Sequence, residues 1–213
     1  MDEDRRAAFG RHMVATLTGG AMTMLVGLGY RTGLFEAAAQ GPATSAGLAD
    51  RAGLQERYVR EWLGAMVTGG FLDYDPGTAE YSLPAEHAPF LAGDTASNVT
   101  PMALMLRAFG GALPELEQRF AEGGGVPHAA FGPHFDAVGA VPGDTWRRVY
   151  DEQLVDGFLG AVPGLTGVLD AGASVLDLGC CSGHAVNMAA QAFPASRFVG
   201  LDIDERQIAV RRR

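Results

Sequence analysis

The sequence of 213 residues contains no lysine, only two cysteines and little positive charge. All 16 basic residues are therefore arginine, and the 25 acidic residues bring the net charge to −9. A protein that binds nucleic-acid or membrane phosphates needs a basic surface, so this balance argues against both kinds of partner. The absence of lysine beside 30 glycines indicates the codon bias of a GC-rich genome and carries no chemistry.

The two cysteines are adjacent, at Cys180 and Cys181, which excludes a disulfide framework and a zinc site built on spaced cysteine pairs. We therefore expect a reduced, cytoplasmic protein without a metal. His128 and His134 lie six residues apart around a loop rich in proline and glycine, which is not the spacing of a ligand pair. Either could instead act as a general base near a substrate.

One stretch without charged residues, from His12 to Tyr30, approaches the length that crosses a membrane. Four glycines and three threonines interrupt it, and the chain begins with acidic residues where a signal peptide would be basic. Its apolar residues recur at helical spacing, as Met13, Leu17, Ala21, Met24 and Leu28. The pattern favours a core or dimer-interface helix over a membrane span.

The patterning divides the chain into residues 1–95, 96–168 and 169–213. In the first region, a helix capped at Thr44 ends at Gly53, and a second helix follows from about Gln55. One face of the second helix is predicted to carry Tyr58, Val59, Trp62, Leu63, Met66 and Val67. A hairpin with its turn at residues 75–78 follows. Helix-turn-helix plus hairpin is the winged-helix pattern.

The middle region is predicted to be helical, over residues 101–120 and 145–159. Its apolar residues Met102, Leu104, Met105 and Leu106 are expected in the core. The third region contains strands at 174–178 and 197–202, with a helix from about 182 to 193 between them. This succession predicts a βαβ unit with parallel strands.

The chemistry is concentrated where the first of these strands meets its helix. Gly179 and Gly183 bound a turn in which a ligand can lie against the backbone, and the helix N-terminus beyond it favours a carboxylate or phosphate. Asp202 ends the next strand, 19 residues after Gly183. An acid at that distance and position can accept both hydroxyls of a ribose.

The residues Val175 to Gly183 (VLDLGCCSG) closely resemble the first motif of class I S-adenosylmethionine-dependent methyltransferases, and Phe198 to Asp204 resembles the second. The resemblance implies a Rossmann-like sheet that holds the methionine half of the cofactor at the loop and the ribose at Asp202. Cys181 stands where the family usually has glycine. The cofactor-binding residues implied are Asp177, Gly179, Cys181, Gly183 and Asp202; Asp204 is expected only to cap a further helix.

Upstream, residues 56–71 resemble the winged-helix leader of bacterial small-molecule methyltransferases, and residues 146–165 resemble their helical connector. The resemblance implies a homodimer formed through the leader, a connector that roofs the pocket, and a small-molecule methyl acceptor. The predicted fold class is thus a mainly α winged-helix leader plus an α/β Rossmann-like methyltransferase domain, of which only the first βαβ unit is present. No catalytic residue is assigned.

Two other hypotheses remain. About 34 residues follow Gly179, and two parallel strands alone would leave Val175, Leu176, Val199 and Leu201 partly exposed, so the chain could be an inactive fragment that only dimerises. The second hypothesis, a winged-helix transcriptional regulator, has the least support from the sequence. Arginines and glutamates on the second helix are spaced to pair with each other, and no lysine or arginine occurs from 61 to 106. His184 is expected to line the helix start, and Arg211 to Arg213 to be a solvated end.

Overall fold

The computed structural model describes residues 1–131 and 146–203, together with Glu205 and Ile208. The elements of its first part are α1 (Glu3–Thr32), α2 (Leu34–Ala39), α3 (Ser45–Ala52), α4 (Glu56–Thr68), β1 (Asp73–Asp75), β2 (Glu80–Ser82) and α5 (Ala88–Leu91). A 3-10 turn (Thr100–Leu104), α6 (Met105–Glu122) and a second 3-10 turn (His128–Phe131) follow. The last part contains α7, described over residues 146–153, a π-helical turn (Leu154–Leu159), α8 (Leu165–Ala171), β3 (Ser174–Leu178), α9 (His184–Ala192) and β4 (Arg197–Leu201).

Helices α2, α3 and α4 enclose the main apolar core. Its most buried large side chains include Phe35, Leu48, Leu63 and Met66. Trp62 packs edge-on against Phe35, with ring centroids 5.1 Å apart, and its indole N–H donates to the carbonyl of Leu25 at 2.9 Å. Burial of each such side chain contributes about 1.5–3 kcal/mol to stability, and the Trp62 hydrogen bond joins α4 to α1.

The helix-turn-helix forms where the sequence predicts it. The Thr44 hydroxyl accepts a hydrogen bond from the Gly47 N–H at 3.2 Å, and Gly53 ends α3 at φ 67°, a conformation that favours glycine. The predicted face of α4 is correct for its buried members but wrong for Tyr58, which is 75% exposed. Tyr58 lies at the edge of the apolar stripe, where the helix surface turns toward solvent.

The wing is the predicted hairpin. Strands β1 and β2 pair antiparallel, with Tyr74 opposite Tyr81 and the two rings 4.7 Å apart. A bridge from Ala43 to Tyr81 joins the hairpin to the segment before α3. These contacts seat the wing against the helices.

Helix α1 turns its predicted apolar stripe outward. Leu17 is 69% exposed and Met24 is 61% exposed, so the core alternative is wrong for this face. The opposite face packs on the core through Met22 and Val26. By length and composition alone, α1 is also able to cross a membrane, although such a helix near an N-terminus is weak evidence for a span.

The connector also packs differently from the sequence expectation. Met102 and Leu106 are exposed, whereas Leu104 and Met105 are half-buried. The side of α6 that meets the rest of the protein instead carries two alanines, Ala108 and Ala112. The two alanines lie four residues apart, on one face of the helix, and this face is the buried one.

The third region is the predicted βαβ unit. Strands β3 and β4 pair in parallel, with Val175 opposite Phe198 and Leu178 opposite Leu201, and α9 connects them. As expected for two strands, Leu176, Val199 and Leu201 are exposed on one face, while Val175 is half-buried on the other. The alternation of exposure along both strands matches the two-residue period of a β-strand.

Candidate functional site

The turn between β3 and α9 has three residues with positive φ. Gly179 has φ 83°, Cys181 has φ 50° and Gly183, the residue before α9, has φ 73°. A side chain at either glycine position would be strained, because L-residues rarely adopt these angles. Cys181 adopts such an angle even though it carries a side chain. The turn is hereafter called the glycine loop (residues 179–183).

The end of β4 holds the glycine loop in place. The backbone N–H groups of Gly179 and Cys180 both donate to the Leu201 carbonyl, at 2.7 and 3.1 Å. The Cys181 N–H donates to Oδ2 of Asp202 at 2.7 Å. The predicted acid therefore faces the glycine loop and bonds its backbone, 21 residues away in sequence. Both features lie at the carboxyl ends of parallel strands, where open α/β sheets bind ligands.

The two adjacent cysteines point in different directions. Cys180 packs inward: a Cβ placed on Gly200 would lie 2.8 Å from its Sγ. Partial burial raises the pKa of the Cys180 thiol, and the charges of Asp177 and Asp202 raise it further. Cys181 is exposed. The sequence did not single out Gly200, yet this glycine leaves the space that Cys180 fills.

Helix α7 stands beside the glycine loop and brings an aromatic side chain to it. Partial burial raises the pKa of the Tyr150 phenol, and the nearby charges of Asp177 and Cys181 add to the effect. Trp146 stacks on Tyr150 with centroids 5.6 Å apart, and Phe158 meets the same ring edge-on at 6.2 Å. Tyr150 was missed at the sequence level; its spacing of four residues from Trp146 was the available signal.

The residue that follows the glycine loop also contacts α7. Nε2 of His184 lies 2.6 Å from Oδ1 of Asp151, and the His184 side chain is largely buried. His184 is the first residue of α9, as expected, but the structure adds a partner 33 residues upstream. Among the described residues, no group of three His, Cys, Asp or Glu side chains is arranged to hold a metal ion.

The backbone of the glycine loop leaves room for a ligand. A Cβ built on Gly179 meets no atom within 4 Å, and one built on Gly183 meets only Nδ2 of Asn187, at 4.0 Å. Open backbone at both glycines, a helix N-terminus and the Asp202 carboxylate suit a ligand that carries a charged group at one end and a diol at the other. An adenosyl amino acid has this chemistry.

Two other groups of residues were considered at the sequence level. His128 begins a 3-10 turn in the connector. His134, Asp204 and the arginines at 211–213 lie outside the described residues.

The helix that would read DNA in a regulator pairs its own charges, as predicted. Nη2 of Arg57 lies 3.3 Å from Oε1 of Glu61, and Nε of Arg60 lies 3.7 Å from Oε1 of Glu56. The strands of the wing add Asp73, Asp75 and Glu80. This surface lacks the basic footprint that a DNA-binding winged helix needs.

Comparison with known proteins identifies the N-terminal unit. Residues 20–93 match the family model described as the Rv2258c-like winged HTH domain. No curated protein matches the chain. The matched residues run from the second half of α1 to the end of the wing and α5.

Solved structures of methyltransferases share the fold of nearly the whole chain. The mitomycin 7-O-methyltransferase MmcR has a TM-score of 0.67 at 20% identity, over 94% of this chain and 60% of its own. PigF with SAH has a TM-score of 0.69 at 19% identity, over 95% and 61%. Human N-acetylserotonin methyltransferase in complex with SAM has a TM-score of 0.63 at 16% identity, over 92% and 59%.

The chain thus spans about three fifths of the length of these structures. At identities of 16–20%, this structural similarity shows the fold alone. Residues 20–93 are a winged helix-turn-helix domain of the Rv2258c-like type, and the chain as a whole has the fold of the matching part of these methyltransferases.

Proposed function

We propose that the chain binds S-adenosylmethionine at the glycine loop and that the whole protein transfers its methyl group to a small-molecule acceptor. The observation that carries this proposal is the contact between Asp202 and the backbone of Cys181, which joins the acid to the loop at 2.7 Å. A ribose that bonds Asp202 would bring its attached amino-acid arm over the open backbone of Gly179 and Gly183.

Each residue has a distinct task in this proposal. Asp202 accepts hydrogen bonds from the ribose hydroxyls, and Asp177 and the glycine loop hold the methionine half. The sulfonium of the cofactor supplies an activated methyl group with a good leaving group. The protein therefore contributes by orienting the reactants rather than by covalent chemistry, and positioning of this kind accounts for a large share of a displacement barrier.

The comparisons support the cofactor class without extending to the acceptor. PigF was solved with SAH and the human N-acetylserotonin enzyme in complex with SAM, and both share the present fold over most of this chain. MmcR methylates mitomycin, a small molecule, as its name states. For the present protein we therefore propose only the class of the acceptor, a small molecule.

Calorimetric titration of this chain with S-adenosylhomocysteine tests the proposal. We expect binding by the wild type and at least about tenfold weaker binding by Asp202→Asn, since a hydrogen bond to a charged group contributes about 1.5–3 kcal/mol. Asp73→Asn is the matched control, because Asp73 is exposed on the wing. Absence of binding by the wild type would contradict the proposal and favour a module that only dimerises.

We further propose that the chain forms a homodimer and that α1 is the interface between the two copies. The outward stripe of α1 holds Met13, Leu17, Met24 and Leu28, all at least 42% exposed. An apolar stripe of this length on a surface helix is typical of a self-association face, and two-fold dimers are the commonest homo-oligomers.

Sedimentation velocity tests the dimer. We expect the wild type to sediment as a dimer and Leu17→Glu to shift the population toward monomer, because a charge would be buried without a partner. Ala15→Glu is the control, since Ala15 is exposed on the opposite side of the same helix. A monomeric wild type, or equal effects of the two variants, would refute α1 as the interface.

A further inference from the structure

Asp94 lies directly after the winged-helix unit and is fixed to it. The backbone N–H of the preceding residue, Gly93, donates to Oε1 of Glu36 on α2 at 2.8 Å. The position of Asp94 therefore follows the position of the winged-helix core.

Arg147 on α7 links Asp94 to the connector. One guanidinium nitrogen lies 2.6 Å from Oδ1 of Asp94, and the other lies 2.8 Å from Oδ2 of Asp151. The hydrogen bond from Arg147 lowers the pKa of Asp94, as expected for a carboxylate held next to a guanidinium. The neighbouring Arg148, which is buried, places its Nε 2.6 Å from the same Asp94 oxygen. A planar guanidinium with two engaged arms restricts both carboxylates at once.

Asp151 carries the linkage to the glycine loop. While Oδ2 faces Arg147, Oδ1 lies 2.6 Å from Nε2 of His184. Four side chains thus connect the end of the winged-helix unit to the first residue after the loop: Asp94, Arg147, Asp151 and His184.

We propose that this series of contacts, hereafter the Asp94–His184 relay, positions the glycine loop, with His184 and Asp151 as positioning residues and Asp94 as the anchor. The loop contains three residues at positive φ, so its conformation needs support from outside. His184 is adjacent to Gly183, and fixing its imidazole fixes the backbone that enters α9. This inference rests on the proposed function for its role in cofactor binding, but the positioning itself is independent of any ligand.

Hydrogen exchange of the loop amides reads out the positioning directly. The N–H groups of Gly179, Cys180, Cys181 and Gly183 are all hydrogen-bonded within or beside the loop. If the relay holds the loop, Asp94→Asn and Asp151→Asn each speed exchange of these amides about threefold or more. The loss of a charged hydrogen bond lowers the free energy of local opening, and this change appears directly in the exchange rate. Asp94 itself is exposed, and the circular dichroism spectrum of each variant checks that the fold is kept.

The control is Glu61→Gln, which breaks an exposed arginine–glutamate pair on α4 away from the loop. It should leave loop exchange unchanged, and the hairpin amides should be unchanged in all variants. The double variant of Asp94 and Asp151 should exchange no faster than Asp151→Asn alone, because both act through one series of contacts. Unchanged loop exchange in the single variants, or additive effects in the double variant, would overturn the proposal.

Titration of the same variants with S-adenosylhomocysteine separates this inference from the proposed function. We expect Asp94→Asn to weaken binding about threefold, in line with its effect on loop opening. Faster loop exchange together with no binding by the wild type supports the relay and refutes the cofactor site. Normal binding by the wild type with unchanged loop exchange refutes the relay alone.

Discussion

Gly200→Ala provides a sharp test of how the glycine loop is packed. A Cβ at this position would lie 2.8 Å from Sγ of Cys180, 2.9 Å from its Cβ and 3.1 Å from Cγ2 of Val186. The Cβ of Cys180 cannot move without moving the loop, so rotation of the thiol alone does not relieve the overlap. Overpacking of this kind costs about 1–3 kcal/mol, and replacement of a strand glycine returns about 0.5–1 kcal/mol.

Two of these contacts are shorter than 3.0 Å, so we expect a cost in the upper half of the overpacking range. The expected net loss is then about 1–2.5 kcal/mol of unfolding free energy, measured by urea denaturation with circular dichroism. Gly167→Ala is the control, because a Cβ there meets nothing within 4 Å, and it should be at least as stable as the wild type. Because the loop shifts, Gly200→Ala should also bind S-adenosylhomocysteine more weakly.

A second substitution identifies the atoms responsible. Cys180→Gly removes both Sγ and Cβ from the contact, so in its background Gly200→Ala should cost at least about 1 kcal/mol less than in the wild type. A Gly200→Ala variant as stable as the wild type, or a cost that Cys180→Gly does not reduce, would refute this account of the loop.

Two further predictions concern the α1 core contact and the thiols. Gly29→Ala should destabilise the protein by about 1–2 kcal/mol in thermal unfolding, because the new Cβ would lie 2.5 Å from Cζ2 of Trp62. The control is Gly19→Ala on the same helix, where a Cβ meets open space and should stabilise the protein by up to about 1 kcal/mol. Equal effects of the two substitutions would exclude the clash as the cause. Since the pKa of the Cys180 thiol is raised, iodoacetamide at pH 8 should label Cys181 first, and labelling of Cys180 should rise only at higher pH. Fragment-ion mass spectrometry maps the labelled residue. Preferential labelling of Cys180 at pH 8 would contradict the inward placement of its thiol.

Local signals in the sequence were sufficient for the elements around the site. The strand from Ser174 to Leu178, the turn at Gly179 and the second strand from Arg197 were all predicted, and the parallel pairing is confirmed. Such features depend on a few adjacent residues: alternating apolar positions, a glycine that accepts positive φ, and a capping side chain such as Thr44. The assignment of cofactor contacts to the loop residues remains a prediction.

Only the tertiary structure decided which apolar faces are buried and which distant side chains meet. The stripe of α1 is helical as predicted, yet it faces solvent because Met22 and Val26, on the other side, meet the core. His184 meets Asp151 across 33 residues of sequence. Periodicity fixes the angle of a residue around its own helix, but the direction in which that helix packs depends on the shapes of its neighbours, which no local pattern encodes.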